Sequence, residues 1–183
     1  MKISVVAVLL ALVAGTAQAQ EPEAKISGFV ESYNQIVRGE KLNSSLNLYI
    51  EGPIKGRLGW ATVLWVQKDW TEWMGGFTVT PAPWIEFIAV LGGETDDRPL
   101  RGSGILWLSK AGLTLEAEYE AGGSGTWYRA NAKYKVHFLS LGVNSVADVG
   151  TGPYLELGLG KWDLWGSYVV KAHGGVFGLR RNF

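Results

Sequence analysis

Between residues 113 and 134 the sequence alternates strictly with period two, twice, across a glycine-rich break. Leu113, Leu115, Ala117 and Tyr119 interleave with Thr114, Glu116, Glu118 and Glu120. After AGGSG (121–125), Tyr128, Ala130, Ala132 and Tyr134 interleave with Arg129, Asn131, Lys133 and Lys135. Period two on both sides of a short turn predicts an antiparallel hairpin in which opposite residues share a face. One face is then acidic on one strand and basic on the next, so that carboxylates meet cations. The other face is wholly apolar with tyrosine at its ends, and whether it meets a soluble core or lipid decides the class of protein.

The rest of the chain repeats the pattern in runs of roughly ten residues. Leu46, Leu48 and Ile50 alternate with Ser45, Asn47, Tyr49 and Glu51, and Leu58, Trp60, Thr62, Leu64 and Val66 with Arg57, Gly59, Ala61 and Gln67. Trp73, Phe77 and Val79 alternate with Glu72, Thr78 and Thr80, and Ile85, Phe87, Ala89 and Leu91 with Glu86 and Glu94, although Ile88 and Val90 blur that polar face. Similar runs follow around 101–109, 139–144, 154–159 and 163–171; the weakest is 25–37, where Ser32 and Asn34 fall in phase with Ile26, Gly28 and Val30. The breaks fall into two classes. Tight ones (53–56, 81–83, 110–112, 135–137, 160–162) interleave with longer, more polar ones (38–43, 68–71, 92–101, 121–125, 147–152, 172–174). Five turns and six loops make twelve strands, and short turns at one end with longer loops at the other are the asymmetry of transmembrane barrels. Ten strands stay open as an alternative if 70–80 and the first run are not strands, and eight as another, although eight strands this short would leave long loops that the sequence does not show.

Residues 1–19 carry Lys2, an apolar run over 5–14, and Ala17-Gln-Ala19 in the small-x-small pattern of a cleavage site. They predict a signal peptide and a single exported domain over residues 20–183. No later stretch has a helical period or eighteen apolar residues in a row, so a helical membrane protein is excluded. There is no cysteine, hence no disulfide and no thiolate metal site; seventeen basic residues balance seventeen acidic ones, which removes the electrostatic case for a nucleic-acid partner. The competing all-β reading is a secreted sandwich, whose polar face should be Lys, Thr, Ser and Glu throughout. Here that face carries Gly59, Gly76, Gly142, Gly158 and Gly178 beside Trp65, Trp107 and Trp165. Small residues beside scattered large ones suit a curved, enclosed interior.

The last nine residues, GVFGLRRNF (175–183), resemble the terminal strand of bacterial outer-membrane β-barrels, where an aromatic end residue follows apolar residues at alternate positions. Phe177, Leu179 and Phe183 match and Arg181 departs. The resemblance implies an all-β up-and-down barrel in the outer membrane, contact with its lipid, and recognition by the barrel-assembly machinery.

For function, the sequence points to a small pore for passive passage of small hydrophilic solutes, with no cofactor. Twelve strands about 4.8 Å apart give a backbone radius of roughly 12 to 13 Å and a narrow aqueous lumen. The expected lumen-lining charges include the acids Glu51, Glu72, Glu86, Glu116, Glu118, Glu120 and Glu156, with Glu31 and Asp163 added. Against them stand Arg57, Arg101, Arg129, Lys133, Lys171 and Arg180. Nine acids over six bases predict a weak cation preference. Two alternatives remain. A structural or adhesive barrel without a pore should carry long outer loops, and these are short; only 92–101, with Glu94, Asp96, Asp97, Arg98 and Arg101, could fold inward. An outer-rim hydrolase would need His173 beside a serine and a carboxylate, with Ser124, Ser145, Asp96 and Asp148 as loop residues in principle within reach, while His137 falls at an inner turn. Neither a metal site nor an oligomeric state is indicated.

Overall fold

The structure is a computed structural model that describes residues 25–170 and 173–183; the expected signal peptide and Lys171 lie outside the described residues. Twelve antiparallel strands form one closed ring in chain order. They are β1 (Ser27–Ile36), β2 (Asn43–Lys55), β3 (Leu58–Gln67), β4 (Thr71–Ala82), β5 (Ile85–Glu94) and β6 (Leu100–Lys110), followed by β7 (Leu113–Gly122), β8 (Gly125–Val136), β9 (Leu139–Val146), β10 (Gly150–Leu159), β11 (Trp162–Val169) and β12 (Gly174–Asn182). The ring closes where β12 pairs with β1 from Phe29 opposite Asn182 to Ile36 opposite Gly175. Phe183 extends this seam, its backbone N–H donating to the Gly28 carbonyl at 3.0 Å. A single closed sheet has no second layer to pack against, so the sandwich alternative falls. The doubtful first strand and the 70–80 region are both full strands, so the number is twelve rather than ten or eight.

Closure dictates the two faces. Alternate residues point inward, and those on the outer set are apolar: Val30, Leu46, Val66, Leu91, Leu141, Leu155 and Leu164 are all exposed. Aromatic side chains belt this surface at two heights. Trp73, Tyr119, Tyr128 and Tyr168 lie toward the loops, and Trp84, Tyr134, Phe138, Trp162 and Phe183 toward the turns. Ten residues at ~3.3 Å each, tilted by ~40°, rise about 25 Å, the height of the apolar band of a transmembrane barrel. An apolar wall of that height with aromatic rims is stable only in lipid. Arg181, the mismatch in the terminal strand, sits at the turn-side rim with its guanidinium 5.6 Å from the Trp162 ring, and Lys110 covers Trp84 in the same way at 5.0 Å. Both cations keep to the polar interface while their stems lie along the apolar wall.

The turns confirm the predicted asymmetry and shorten it. The turn-side connections are two residues each (56–57, 83–84, 111–112, 137–138, 160–161), whereas the loop side runs from two residues (123–124) to six (37–42). Ala111 and Gly112 both have positive φ, 52° and 85°, the requirement of a two-residue primed turn that matches strand twist. The expected long loop at 92–101 shrinks to 95–99, because β5 and β6 carry their ladder on to Gly93 opposite Leu100.

Candidate functional site

The inward faces fill the barrel with three knots of buried charge and two apolar clusters. Nearest the loops, Arg101 of β6 gathers carboxylates from three other strands. Its guanidinium lies 2.5 Å from Glu72 of β4, 3.2 Å from Glu94 of β5 and 2.7 Å from Glu120 of β7, and all four side chains are at most 5% exposed. Ser124 completes the knot: its backbone N–H and hydroxyl donate to Glu94 at 2.8 and 2.5 Å, and Trp70 Nε1 donates to the same carboxylate at 3.2 Å. This is the one place where the expected inward constriction at 92–101 is realised. Glu94 and Arg101 supply it from strand ends, while Arg98 bonds the Gly123 carbonyl at the rim.

At mid-height Arg129 of β8 donates to Glu116 at 2.8 Å and lies 3.6 Å from Glu31 and 3.8 Å from Glu118. Arg180 of β12 donates to Glu31 at 2.9 Å, as does Trp165 Nε1, and stacks 4.2 Å from the Phe29 ring centre. Glu31 thus accepts from β11 and β12 across the closure seam. A third knot joins Lys133 of β8 to Glu156 of β10, which also accepts from Tyr154 at 2.7 Å and Ser140 at 3.1 Å. Buried charge of this kind survives only when partners replace the water it has lost.

The hairpin that first revealed the pattern is therefore only partly self-neutralising. Glu118 lies opposite Arg129, but Glu116 faces Asn131, Glu120 faces Trp127 and Lys133 faces Thr114. Glu120 takes its cation from β6 and Lys133 its carboxylate from β10. Among the other expected lumen residues, Glu51 and Glu86 line the turn-side mouth, where Tyr49 and Ser27 donate to Glu51 at 2.7 and 3.0 Å. Arg57 is exposed in the two-residue β2–β3 turn and lines the same mouth at its rim, because β2 runs to Lys55 before the chain reverses. Asp163 accepts from Asn182 at 2.7 Å. Tyr49 and Tyr154 were not singled out from sequence, yet each sits two residues before the glutamate it bonds. That spacing puts both on one face of a strand, and the repeated Tyr-x-Glu is the signal that could have found them.

Apolar side chains close much of the remaining space, which the expectation of a narrow open lumen did not include. Phe29, Tyr49, Ala61, Val63, Met74, Ile88, Val90 and Ile105 form one cluster on the β1–β6 side; the other centres on Tyr33, Trp65, Trp165 and Tyr154, with Val146, Val149, Val169 and Val176 around them. Ile88 and Val90, which blurred the polar face of their strand, belong to the first. Among the spaces left is a vestibule at each mouth, with a small void between them. The loop-side vestibule, about 260 Å³, lies among Trp65, Trp70, Arg101, Glu120 and Trp127. The turn-side one, about 360 Å³, lies among Glu51, Thr78, Thr80 and Glu86. The middle void, about 20 Å³, touches Tyr49, Ile88, Glu116, Glu118 and Arg129. Ser124 is committed to Glu94 and Ser145 accepts from Thr151 at 2.8 Å; among the described residues no hydrogen bond joins His173 to Ser124, Ser145, Asp96 or Asp148.

No family model matches the chain, and no curated protein matches it. Solved structures do. KdgM porin aligns over 85% of this chain and 99% of its own, at 10% identity and a TM-score of 0.56, and KdgM porin in complex with disordered oligogalacturonate aligns equally well. The fold is shared with a porin. A Rhodopseudomonas blastica porin triple mutant also aligns, over 87% of this chain at 9% identity and a TM-score of 0.38. A closed twelve-strand antiparallel barrel with an apolar, aromatic-belted exterior is the architecture of bacterial outer-membrane proteins, and this chain is an outer-membrane barrel on that ground.

Proposed function

We propose that the protein is a narrow outer-membrane channel for small hydrophilic solutes, held closed in this conformation by its own side chains. The observation that carries the reading is the water-sized void at Glu116, Glu118 and Arg129, lying between two vestibules that open at opposite mouths. A space of about 15 Å³ or more holds a water molecule when polar groups line it. Several buried polar atoms inside the barrel, among them Glu120 Oε1, Asn47 Oδ1, Asn131 Oδ1 and Asn144 Oδ1, have no protein partner. Such groups are ordinarily satisfied by water. The barrier is a layer of side chains rather than a folded loop or a helix, so movement of the Arg129 layer would join the two vestibules.

The inward carboxylates Glu31, Glu51, Glu72, Glu86, Glu94, Glu116, Glu118, Glu120, Glu156 and Asp163 outnumber the inward cations Arg101, Arg129, Lys133, Lys135 and Arg180 by ten to five among the described residues. That imbalance supports a weak preference for cations. The terminal Phe177, Leu179 and Phe183, which all face lipid, are assigned to recognition by the assembly machinery. Liposome swelling tests the reading. Proteoliposomes should admit the smallest polar solutes and exclude sugars, whereas impermeability to every solute would refute a conducting role. One observation favours a second reading, a sealed structural barrel: Glu31 and Glu72 are 0% exposed, and porous lumens ordinarily wet their charges.

A further inference from the structure

Three indole rings surround the loop-side vestibule, and they come from three separate elements. Trp65 lies on β3, Trp70 in the β3–β4 loop and Trp127 on β8, and all three line the cavity of about 260 Å³. The Trp65 and Trp127 rings meet at 81° with centres 5.3 Å apart, so they form a corner rather than a stack. Trp70 is oriented by the bond from its Nε1 to Glu94, and the Arg101 guanidinium lies over it at 5.5 Å. The charge around these rings is unbalanced. Among the described residues that line the vestibule Arg101 is the one cation, against Glu120 and Asp148, and that guanidinium is already shared by Glu72, Glu94 and Glu120. Four carboxylates around one cation leave a surplus that survives protonation of any one of them. Glu120 commits Oε2 to Arg101 and leaves Oε1 without a protein partner. The neighbouring loops do not cancel the surplus: Lys68 pairs with Asp69 at 4.0 Å, and Arg98 is accompanied by Asp96 and Asp97. Arg38, Glu40 and Lys41 of the 37–42 loop carry one net positive charge, and none of them lines the vestibule.

We propose that the loop-side vestibule is a binding site for a small organic cation of the alkylammonium class. The face of an indole ring attracts a cation through its quadrupole, more strongly than the other aromatic side chains do. An alkylated ammonium suits these walls because its methyl groups pack on the rings while its charge is drawn to the carboxylates. A hard metal ion needs a shell of oxygen ligands, which indole walls do not supply. A neutral sugar could stack on the same rings but would leave the carboxylate surplus unanswered. The cavity is smaller than the ~300–1,000 Å³ of sites for drug-sized ligands, so the ligand is of about the size of choline. The proposal goes beyond the channel reading and does not rest on it, because the vestibule lies on the loop side of the Arg129 layer and fills without any passage.

Tryptophan fluorescence of the purified full-length protein in neutral detergent, titrated with choline at constant ionic strength, tests the site. Wild type should show a saturable change with choline and none with sodium chloride. The uncharged analogue of choline, in which carbon replaces the nitrogen, should bind at least about ten-fold more weakly. Trp127→Leu, with its folding verified by heat-dependent gel mobility, should weaken choline binding roughly five- to ten-fold. Asp148→Asn should weaken it roughly two- to five-fold. Asparagine tolerates the positive φ of 66° at that position, so this variant changes charge and not backbone. Trp84→Leu, at the opposite mouth, should bind as wild type does. Equal affinity for choline and its uncharged analogue, undiminished binding by folded Trp127→Leu, or saturable binding of glucose with none of choline overturns the proposal. The comparison of choline with its analogue needs no variant. All of these outcomes are read without a bilayer, so they are distinct from failure of the channel reading, which would leave choline binding intact.

Discussion

Arg101→Met isolates the electrostatics of the loop-side knot, because methionine keeps most of the arginine stem and removes only the guanidinium. Three carboxylates, from Glu72, Glu94 and Glu120, would then face one another with no cation, each at most 5% exposed. Removing one partner of a buried, hydrogen-bonded ion pair costs ~3–5 kcal/mol because the other charge is left uncompensated. Two features of the site move the expectation within that range. The adjoining vestibule of about 260 Å³ admits water to the stranded carboxylates, which favours the lower end. Loss of the stacking on Trp70, whose ring centre is 5.5 Å from the guanidinium carbon, adds ~0.5–1 kcal/mol. The expected destabilisation is therefore about 3–4 kcal/mol. It should be read by equilibrium urea unfolding in lipid vesicles, followed by tryptophan fluorescence. Adding Glu120→Gln should recover part of the loss, since it removes one of the charges that Arg101→Met strands, whereas the same substitution in wild type should destabilise. A loss under 1 kcal/mol for Arg101→Met, or additivity of the two changes, would show that the knot is solvated and contributes little.

The remaining expectations need less argument. Replacing Glu116, Glu118 and Glu120 together with glutamine leaves Arg129 facing Glu31 alone, so any cation preference should fall or reverse; unchanged reversal potentials across a salt gradient would place these carboxylates off the permeation path. Phe183→Ala removes the ring that lies over Gly28 at the closure seam, and should slow barrel closure in a gel-mobility folding assay without changing the final fold. Equal folding rates would show that the terminal aromatic residue has no part in assembly. Ala111→Gly should stabilise the barrel by roughly 0.5–1 kcal/mol, because left-handed backbone costs an L-residue ~1–2 kcal/mol and glycine adopts it freely at some cost in unfolded-state entropy. A destabilised variant would mean that the turn relaxes when alanine is removed.

The barrel was legible because its signals are local. Period two in 113–134, the alternation of tight and loose breaks, and the apolar residues ahead of Phe183 each depend on neighbours in sequence, and together they led to twelve strands with the expected charges grouped on one face of each. The partners of those charges were not legible, because they follow from register and closure. Arg101 collects carboxylates from β4, β5 and β7, and Glu31 on the first strand is held by Arg180 and Trp165 from the last two. Only closing the ring brings those ends together. The packed interior was half visible in Ile88 and Val90, which a soluble reading takes as noise in a polar face. In a barrel they mark where apolar volume replaces water. Arg181 violated the expected terminal pattern for a reason that sequence could not supply, since its neighbour Trp162 is fixed by the β11–β12 register.

Single-channel recording of the wild-type protein in a planar bilayer tests the central claim, that the two vestibules connect through a layer of mobile side chains at Arg129. The account predicts small, discrete and reversible current steps with a modest cation preference, far below the currents of a barrel with an open lumen. A silent bilayer after verified insertion of the folded protein would contradict it and leave a sealed barrel. A large, steady current from the moment of insertion would contradict the packed interior described above.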